Sequence, residues 1–368
     1  MDDTKKNIIL LVLTLTALAV LSEIFMRSAV LFYPMFACNT YSSQDDYFLC
    51  RLQFNFSVST KKNLSEFKLH AEECDEWDAQ LGWVTRKNCS SIKDYRSYST
   101  NSNGFRGNKE FAAEKNKTRI IIVGDSFTWG DGNSDNETYP YYLGEIFNSS
   151  ADVINMGVRG YGPDQFYIRL QRDGLKFKPD FVVVGLFIPD IHRTSLRVYS
   201  FFKPRFIIKD GKLSRDESSA IPNLHDALDM SIGLKDKKRV YSFSYISSLI
   251  KKAARLASGY KKETQTTLKI IEQMDSDLKK DNIKLLVLLI PEQGMVEVSD
   301  QSYHGVMPNL MKGLDNDGIG YINLAQIFKN ETRINGTSLY QGHLKPVGNY
   351  IVARELHAIL ERVLINKS

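Results

Sequence analysis

The chain has 368 residues, enough for one large α/β domain with appendages or for two small domains. Hydrophobic residues make up 43% and charged residues 25%, the proportions of an ordinary globular protein, which excludes wholesale disorder. The net charge of +5 is modest. There is also no basic stripe interleaved with aromatic residues, so nucleic acid is not an expected partner.

At the N-terminus, Ile8 to Leu21 is an uncharged apolar run behind Lys5 and Lys6. It is shorter than the ~20 residues that usually span a bilayer. A cleaved signal peptide would use Ala17-Leu18-Ala19 as its small-residue site, but the apolar run continues past it. A signal anchor running on past Ser22, with Glu23 and Arg27 near the outer interface, is the preferred reading. In either case the lysines stay inside and the remainder is extracytoplasmic.

All four cysteines, Cys38, Cys50, Cys74 and Cys89, lie in the first quarter of the chain. An even set confined to a loop-rich segment points to two disulfides, with three pairings possible. There is no CxxC, and His70 is the only histidine nearby, so no zinc site is expected. Residues 38–118 lack periodic patterns and read as a disulfide-pinned extracytoplasmic connector between a 1–37 stub and anchor and a catalytic domain at 119–364.

That domain opens with Ile120 to Val123, a β-branched run that predicts a buried parallel strand ending at Gly124. Asp125-Ser126 follow at its carboxyl end, the edge where open α/β sheets bind ligands. A polar loop at Asp131 to Glu137 leads to a helix from Tyr139 to Phe147, then a strand from Asp152 to Asn155. Gly157 to Gly162 is a glycine-rich loop, and Pro163 suits the first position of a helix to about Arg172. Phe181 to Phe187 predicts a strand buried on both faces.

Residues 191–262 break the alternation and read as an insertion or cap. They include a hairpin turning at Asp210-Gly211 and an amphipathic helix from Val240 to Leu256. Basic residues cluster between Lys235 and Lys262, which reads as a solvated helix face. A helix from Glu263 to Lys280, a strand from Lys284 to Ile290, a short strand from Tyr321 to Leu324 and a C-terminal helix to about Leu364 complete the pattern. Such alternation predicts an α/β/α sandwich around a parallel sheet.

Three blocks carry the chemistry: Gly124-Asp125-Ser126-Phe127 after the first strand, Asn155-Met156-Gly157 with Gly160 after the second, and Gly342-His343 ahead of the terminal helix. Together they resemble the SGNH (GDSL-type) hydrolases, a family of esterases and lipases with a flavodoxin-like α/β/α fold. The resemblance spans roughly residues 80–364. It extends to Leu81-Gly82-Trp83 and Asn103-Gly104-Phe105-Arg106-Gly107, which are similar to segments of membrane-anchored bacterial members.

The resemblance implies Ser126 as nucleophile, His343 as base and Gly160 as an oxyanion-hole donor, with no metal or organic cofactor. Two positions depart from the pattern. Ile188-Pro189-Asp190 has proline where the family carries its oxyanion asparagine. Tyr340-Gln341-Gly342-His343 lacks the aspartate normally two or three residues before the histidine. Gln341, a backbone carbonyl, or Asp190 or Glu331 from another loop are the candidate supports for the imidazole. His192, His225 and His304 match no block.

The implied activity is a membrane-anchored ester hydrolase or acyl (acetyl) transferase acting on O-acylated glycans or lipids. Two alternatives are a degenerate member that binds such a ligand without turnover, and an envelope assembly protein. The Asn-x-Ser/Thr sequons at Asn55, Asn63, Asn88, Asn116, Asn136, Asn148, Asn330 and Asn335 follow from a composition rich in Asn, Ser and Lys.

Overall fold

The computed structural model describes residues 3–32, 38, 50, 74–93, 96–148, 150–223, 226–227, 245–247, 249–251, 253–254, 258, 260–298, 303 and 305–365. The chain divides into two units. One comprises Met1–Phe67, Val198–Phe201 and Pro222–Ala257, and the other Lys68–Arg197, Phe202–Ile221 and Ser258–Ser368.

The first unit contains α1 (Asp3–Phe32), one helix long and apolar enough to cross a membrane. Its apolar span, Lys6–Ala29, has 24 residues and a mean hydropathy of 2.5. At 1.5 Å per residue that is about 36 Å, longer than the ~30 Å hydrocarbon core. The helix therefore runs well past the apolar stretch ending at Leu21. Glu23 and Arg27, one turn apart, ion-pair at 2.9 Å along it. Cys38 and Cys50 form a disulfide in this unit. Most of the helix expected at 240–256, the lysines at 237 and 238, and His70, His225 and His304 lie outside the described residues.

The second unit begins with two short antiparallel ribbons. β1 (Asp75–Asp78) pairs with β2 (Gly82–Thr85), and β3 (Ser90–Lys93) with β4 (Arg96–Ser99). Cys74–Cys89 bridges the two ribbons. The main sheet then starts with β5 (Thr118–Gly124), followed by α2 (Ser126–Trp129), α3 (Tyr139–Ile146), β6 (Ala151–Asn155), α4 (Pro163–Arg169) and β7 (Phe181–Phe187). A hairpin, β8 (Phe206–Lys209) and β9 (Lys212–Arg215), turns at Asp210-Gly211. Both turn residues have positive φ, 51° and 75°, as a type I′ turn requires.

The chain continues through α5 (Lys261–Lys280), β10 (Lys284–Ile290), α6 (Gln293–Glu297), α7 (Val306–Asn316), β11 (Gly320–Asn323) and α8 (Leu324–Asn335). It ends in a two-residue hairpin, β12 (Tyr340–Gln341) with β13 (His343–Leu344), and α9 (Pro346–Ile365). The five-stranded sheet runs β11-β10-β7-β5-β6, every pair parallel. In chain order this is 2-1-3-4-5, the flavodoxin-like order, whose switch point lies between β5 and β7.

Alternate residues bury opposite faces of the sheet. Ile120, Ile122, Phe181, Val183, Leu286 and Leu288 pack under α3, α8 and α9. Ile121, Val182 and Val287 face the other way and are fully buried. Both faces being covered explains why these strands read as continuous apolar runs.

A buried ion pair fixes the segment after β7. Lys203 and Asp164 are both 0% exposed and bonded to each other. Lys203 Nζ also donates to the carbonyls of Arg193 (3.2 Å) and Pro204 (2.9 Å). Lys203→Met leaves the Asp164 carboxyl buried without its cation and is expected to cost about 3–5 kcal/mol. Urea unfolding should show a lowered midpoint, and adding Asp164→Leu should restore most of it.

Candidate active site

The site is built where β5 stops. Asp125 caps α2, its Oδ1 accepting from Phe127 N at 2.9 Å, while Trp129 N donates to Asp125 O at 2.9 Å. The turn ends at Gly130 in the left-handed conformation. This single helical turn holds Ser126 at the sheet's switch point, 9% exposed. Ser126 Oγ lies 2.8 Å from His343 Nε2 and 3.2 Å from Asp125 Oδ2.

His343 arrives from the far end of the chain on β13. Gly342, at φ 77°, makes the turn that places it opposite Gln341. Asn133 Nδ2 donates to Leu344 O at 2.8 Å, tying the loop after α2 to the strand that carries the histidine. Lys345 N donates to Leu339 O at 2.8 Å and closes the hairpin from behind. The Phe127 ring lies 4.9 Å from the imidazole and stacks on Phe187 at 4.0 Å, giving the histidine an apolar wall.

The glycine-rich loop is laced to the turn that carries Ser126. Met156 N donates to Ile122 O (2.8 Å) and Val158 N to Gly124 O (3.0 Å), prolonging the β5–β6 pairing. Asn155 Nδ2 donates to Thr128 O at 2.9 Å and its Oδ1 accepts from Gly157 N at 3.0 Å. Gly160, half-buried with φ 75°, occupies the turn before α4. Two guanidinium groups, those of Arg106 and Arg159, each lie 4.6 Å from the Trp129 ring. Arg106 also donates to Asp135 Oδ1 (2.6 Å) and Asn133 O (2.8 Å). Burial and the neighbouring Arg159 hold Arg106 down to about 10 against the pull of Asp135. The Asn103–Gly107 segment therefore acts as a clamp on the loop that follows the serine.

The expected supports for the imidazole do not reach it. The Gln341 amide makes no hydrogen bond to it. Glu331 pairs with Arg354 at 2.8 Å. Asp190 is buried beside Asp125 and Arg193 instead. Among the described residues no carboxylate is hydrogen-bonded or ion-paired to His343. Pro189 sits in the first turn after β7, and its carbonyl is bonded to His192 Nδ1, so His192 is engaged locally. No group of three or more His, Cys, Asp or Glu side chains gathers as a metal site among the described residues.

Asn133, Arg193 and the proximity of Asp125 to Asp190 escape a reading of the sequence. Asn133 lies in the loop recognised only as polar, and its partner is 211 residues away.

No family model matches the chain, and neither does any curated protein. Solved structures do. One is the acetyl xylan esterase AlAXEase, at 16% identity over 66% of this chain and 98% of that one, TM-score 0.41. TesA matches at 11% identity over 67% and 99%, TM-score 0.41. A protein described as lipolytic and of the G-D-S-L family, from Desulfitobacterium hafniense, matches at 13% identity over 66% and 99%, TM-score 0.37. At such identities the chemistry has to be read from the site itself.

Asn133→Ala leaves the buried Leu344 carbonyl without its main donor. The expected loss is about 1–3 kcal/mol of unfolding free energy, measured by urea titration.

Proposed function

We propose that this chain is a serine ester hydrolase of the SGNH type, with Ser126 as nucleophile and His343 as base. One observation carries the reading: Ser126 Oγ stands 2.8 Å from His343 Nε2, within reach of direct proton transfer. Ser126 Oγ attacks the ester carbonyl carbon as its proton passes to Nε2. The tetrahedral oxyanion collapses, and the alcohol departs with that proton, leaving an acyl-serine. Water then attacks with His343 taking its proton, and the acid is released. An acceptor hydroxyl in place of water makes the same cycle an acyl transfer.

Gly160 N–H is assigned as an oxyanion donor. Pro189 supplies neither an N–H nor a side-chain donor at the asparagine position. An oxyanion donor is typically worth ~10²–10³ in rate, so turnover is expected to be correspondingly slow.

α1 is assigned as a membrane anchor, with the domain on the extracytoplasmic side. The two disulfides, Cys38–Cys50 and Cys74–Cys89, favour an oxidising compartment. An outward-facing domain tethered to a membrane meets acylated glycans and lipids, and O-acetylated glycan is the substrate class assigned. The proline and the absent carboxylate favour a second reading, a site that binds an acylated ligand without turning it over.

Activity on p-nitrophenyl acetate and labelling by a fluorophosphonate should both vanish in Ser126→Ala and fall by at least ~10³-fold in His343→Ala. Ser91→Ala should retain both. A folded wild-type protein that shows neither, yet binds an acetylated oligosaccharide, would establish the second reading.

A further inference from the structure

Beneath Ser126 lies a set of groups that ester hydrolysis as described does not use. Asp125 and Asp190 are both 0% exposed and lie side by side. Arg193 Nη1 comes within 2.8 Å of Asp190 Oδ1 and 3.6 Å of Asp125 Oδ2. Its aligned hydrogen bond, however, goes to the Tyr161 carbonyl at 2.6 Å. The contact with Asp190 is thus an ion pair in distance without an aligned N–H, and neither oxygen of Asp190 accepts a hydrogen bond among the described residues. Asp125 is the opposite case, accepting from Phe127 N (2.9 Å) and Ser126 Oγ (3.2 Å).

Two ionised carboxylates sharing one guanidinium in a dry site leave a charge uncompensated, at large cost. A single proton between them removes that charge and turns repulsion into an O–H···O⁻ bond. The donors decide which acid holds it. Asp125 has the Phe127 N–H as a fixed donor whichever way the Ser126 hydroxyl turns, and Asp190 accepts from none, so the proton belongs on Asp190.

We propose that Asp190 is a positioning residue: its carboxyl O–H donates to Asp125 and so fixes the carboxylate against which Ser126 Oγ sets its direction toward His343. The inference rests on the ester-hydrolase reading of Ser126. Burial above all, opposed by Arg193 and reinforced by the charge of Asp125, holds the Asp190 carboxyl well above the usual carboxylate range. The groups facing it are Asp125 at the start of α2, Arg193 on its own turn and Tyr303 ahead of α7. As pH rises through the raised value, Asp190 ionises, the bond to Asp125 is lost and activity falls on the alkaline side.

The test compares Asp190→Asn, whose amide still donates and does not titrate, with Asp190→Leu, which cannot donate. In full-length protein, Leu should lower kcat on p-nitrophenyl acetate by on the order of 10²-fold, while Asn loses no more than roughly tenfold. Asn should also lack the alkaline fall of the wild type. Equal losses in the two variants, or an unchanged alkaline limb in Asn, would overturn the proposal. Infrared difference spectra read the proton without turnover. A protonated-carboxyl carbonyl band should be present at neutral pH in wild type and Ser126→Ala and missing in Asp190→Asn. Hydrolysis without that band defeats the Asp190 assignment alone, and the band without hydrolysis defeats the esterase reading alone.

Discussion

The seat of Thr128 is the constraint on which the site depends. Its side chain is fully buried and occupies the space that side chains on three glycines would need. A Cβ on Gly124 would lie 2.0 Å from Thr128 Oγ1, and one on Gly185 2.3 Å from the same atom. A Cβ on Gly157 would lie 2.3 Å from Trp129 N and 2.7 Å from the Thr128 carbonyl carbon. The strand before the serine, the neighbouring strand and the loop after the next strand thus all leave room for one turn of helix. Thr128 Oγ1 meets the Tyr139 hydroxyl at 2.8 Å, so the buried polar atom is satisfied. With α2 pressed this closely onto the sheet, Ser126 projects over the switch point and not away from it.

Seen this way, two of the three sequence blocks are steric requirements before they are chemical ones. Gly124 and Gly157 are legible as motif letters, but what they accommodate is a threonine that no motif marks. Gly185, inside an otherwise apolar strand, carries the same demand and reads in sequence only as a gap in a hydrophobic run. The main strands are legible because burial on both faces forces continuous runs such as Phe181 to Phe187 and Lys284 to Ile290. The hairpin at Asp210-Gly211 is legible because few residue pairs accept positive φ twice.

What stays hidden is of two kinds. Short elements carry too little pattern: β1 to β4 are four residues each and held by cross-strand bonds and the Cys74–Cys89 bridge, so their stretch reads as unpatterned connector. Helix α6, five residues long, goes unread for the same reason, whereas α7 and α8, of 11 and 12 residues, are long enough to read as amphipathic helices. The other kind is long-range polar pairing. Asn133 with Leu344 and Asp125 with Asp190 join residues whose meeting depends on the whole topology, and nothing local distinguishes them from solvated loop residues. The missing carboxylate before His343 is the reverse case: its absence is plain in the sequence, and the loops considered as substitutes do not supply it.

That absence changes what the rest of the site must do. In a triad the carboxylate at Nδ1 fixes the imidazole tautomer and leaves Nε2 free to accept. Among the described residues no carboxylate reaches the imidazole to select the tautomer, and the serine hydroxyl has a second acceptor, Asp125 Oδ2, at 3.2 Å against 2.8 Å for the imidazole. One proton cannot serve both. If it goes to Asp125, Ser126 Oγ can only accept from His343, and the pair is set against proton transfer in the productive direction. Each further donor that Asp125 satisfies weakens its claim on the hydroxyl. The Phe127 N–H of the helix cap is one such donor, and the buried Asp190 beside it is the other. The direction of the Ser126 proton is therefore decided from below, by groups that cap and neutralise Asp125, and not from behind the histidine.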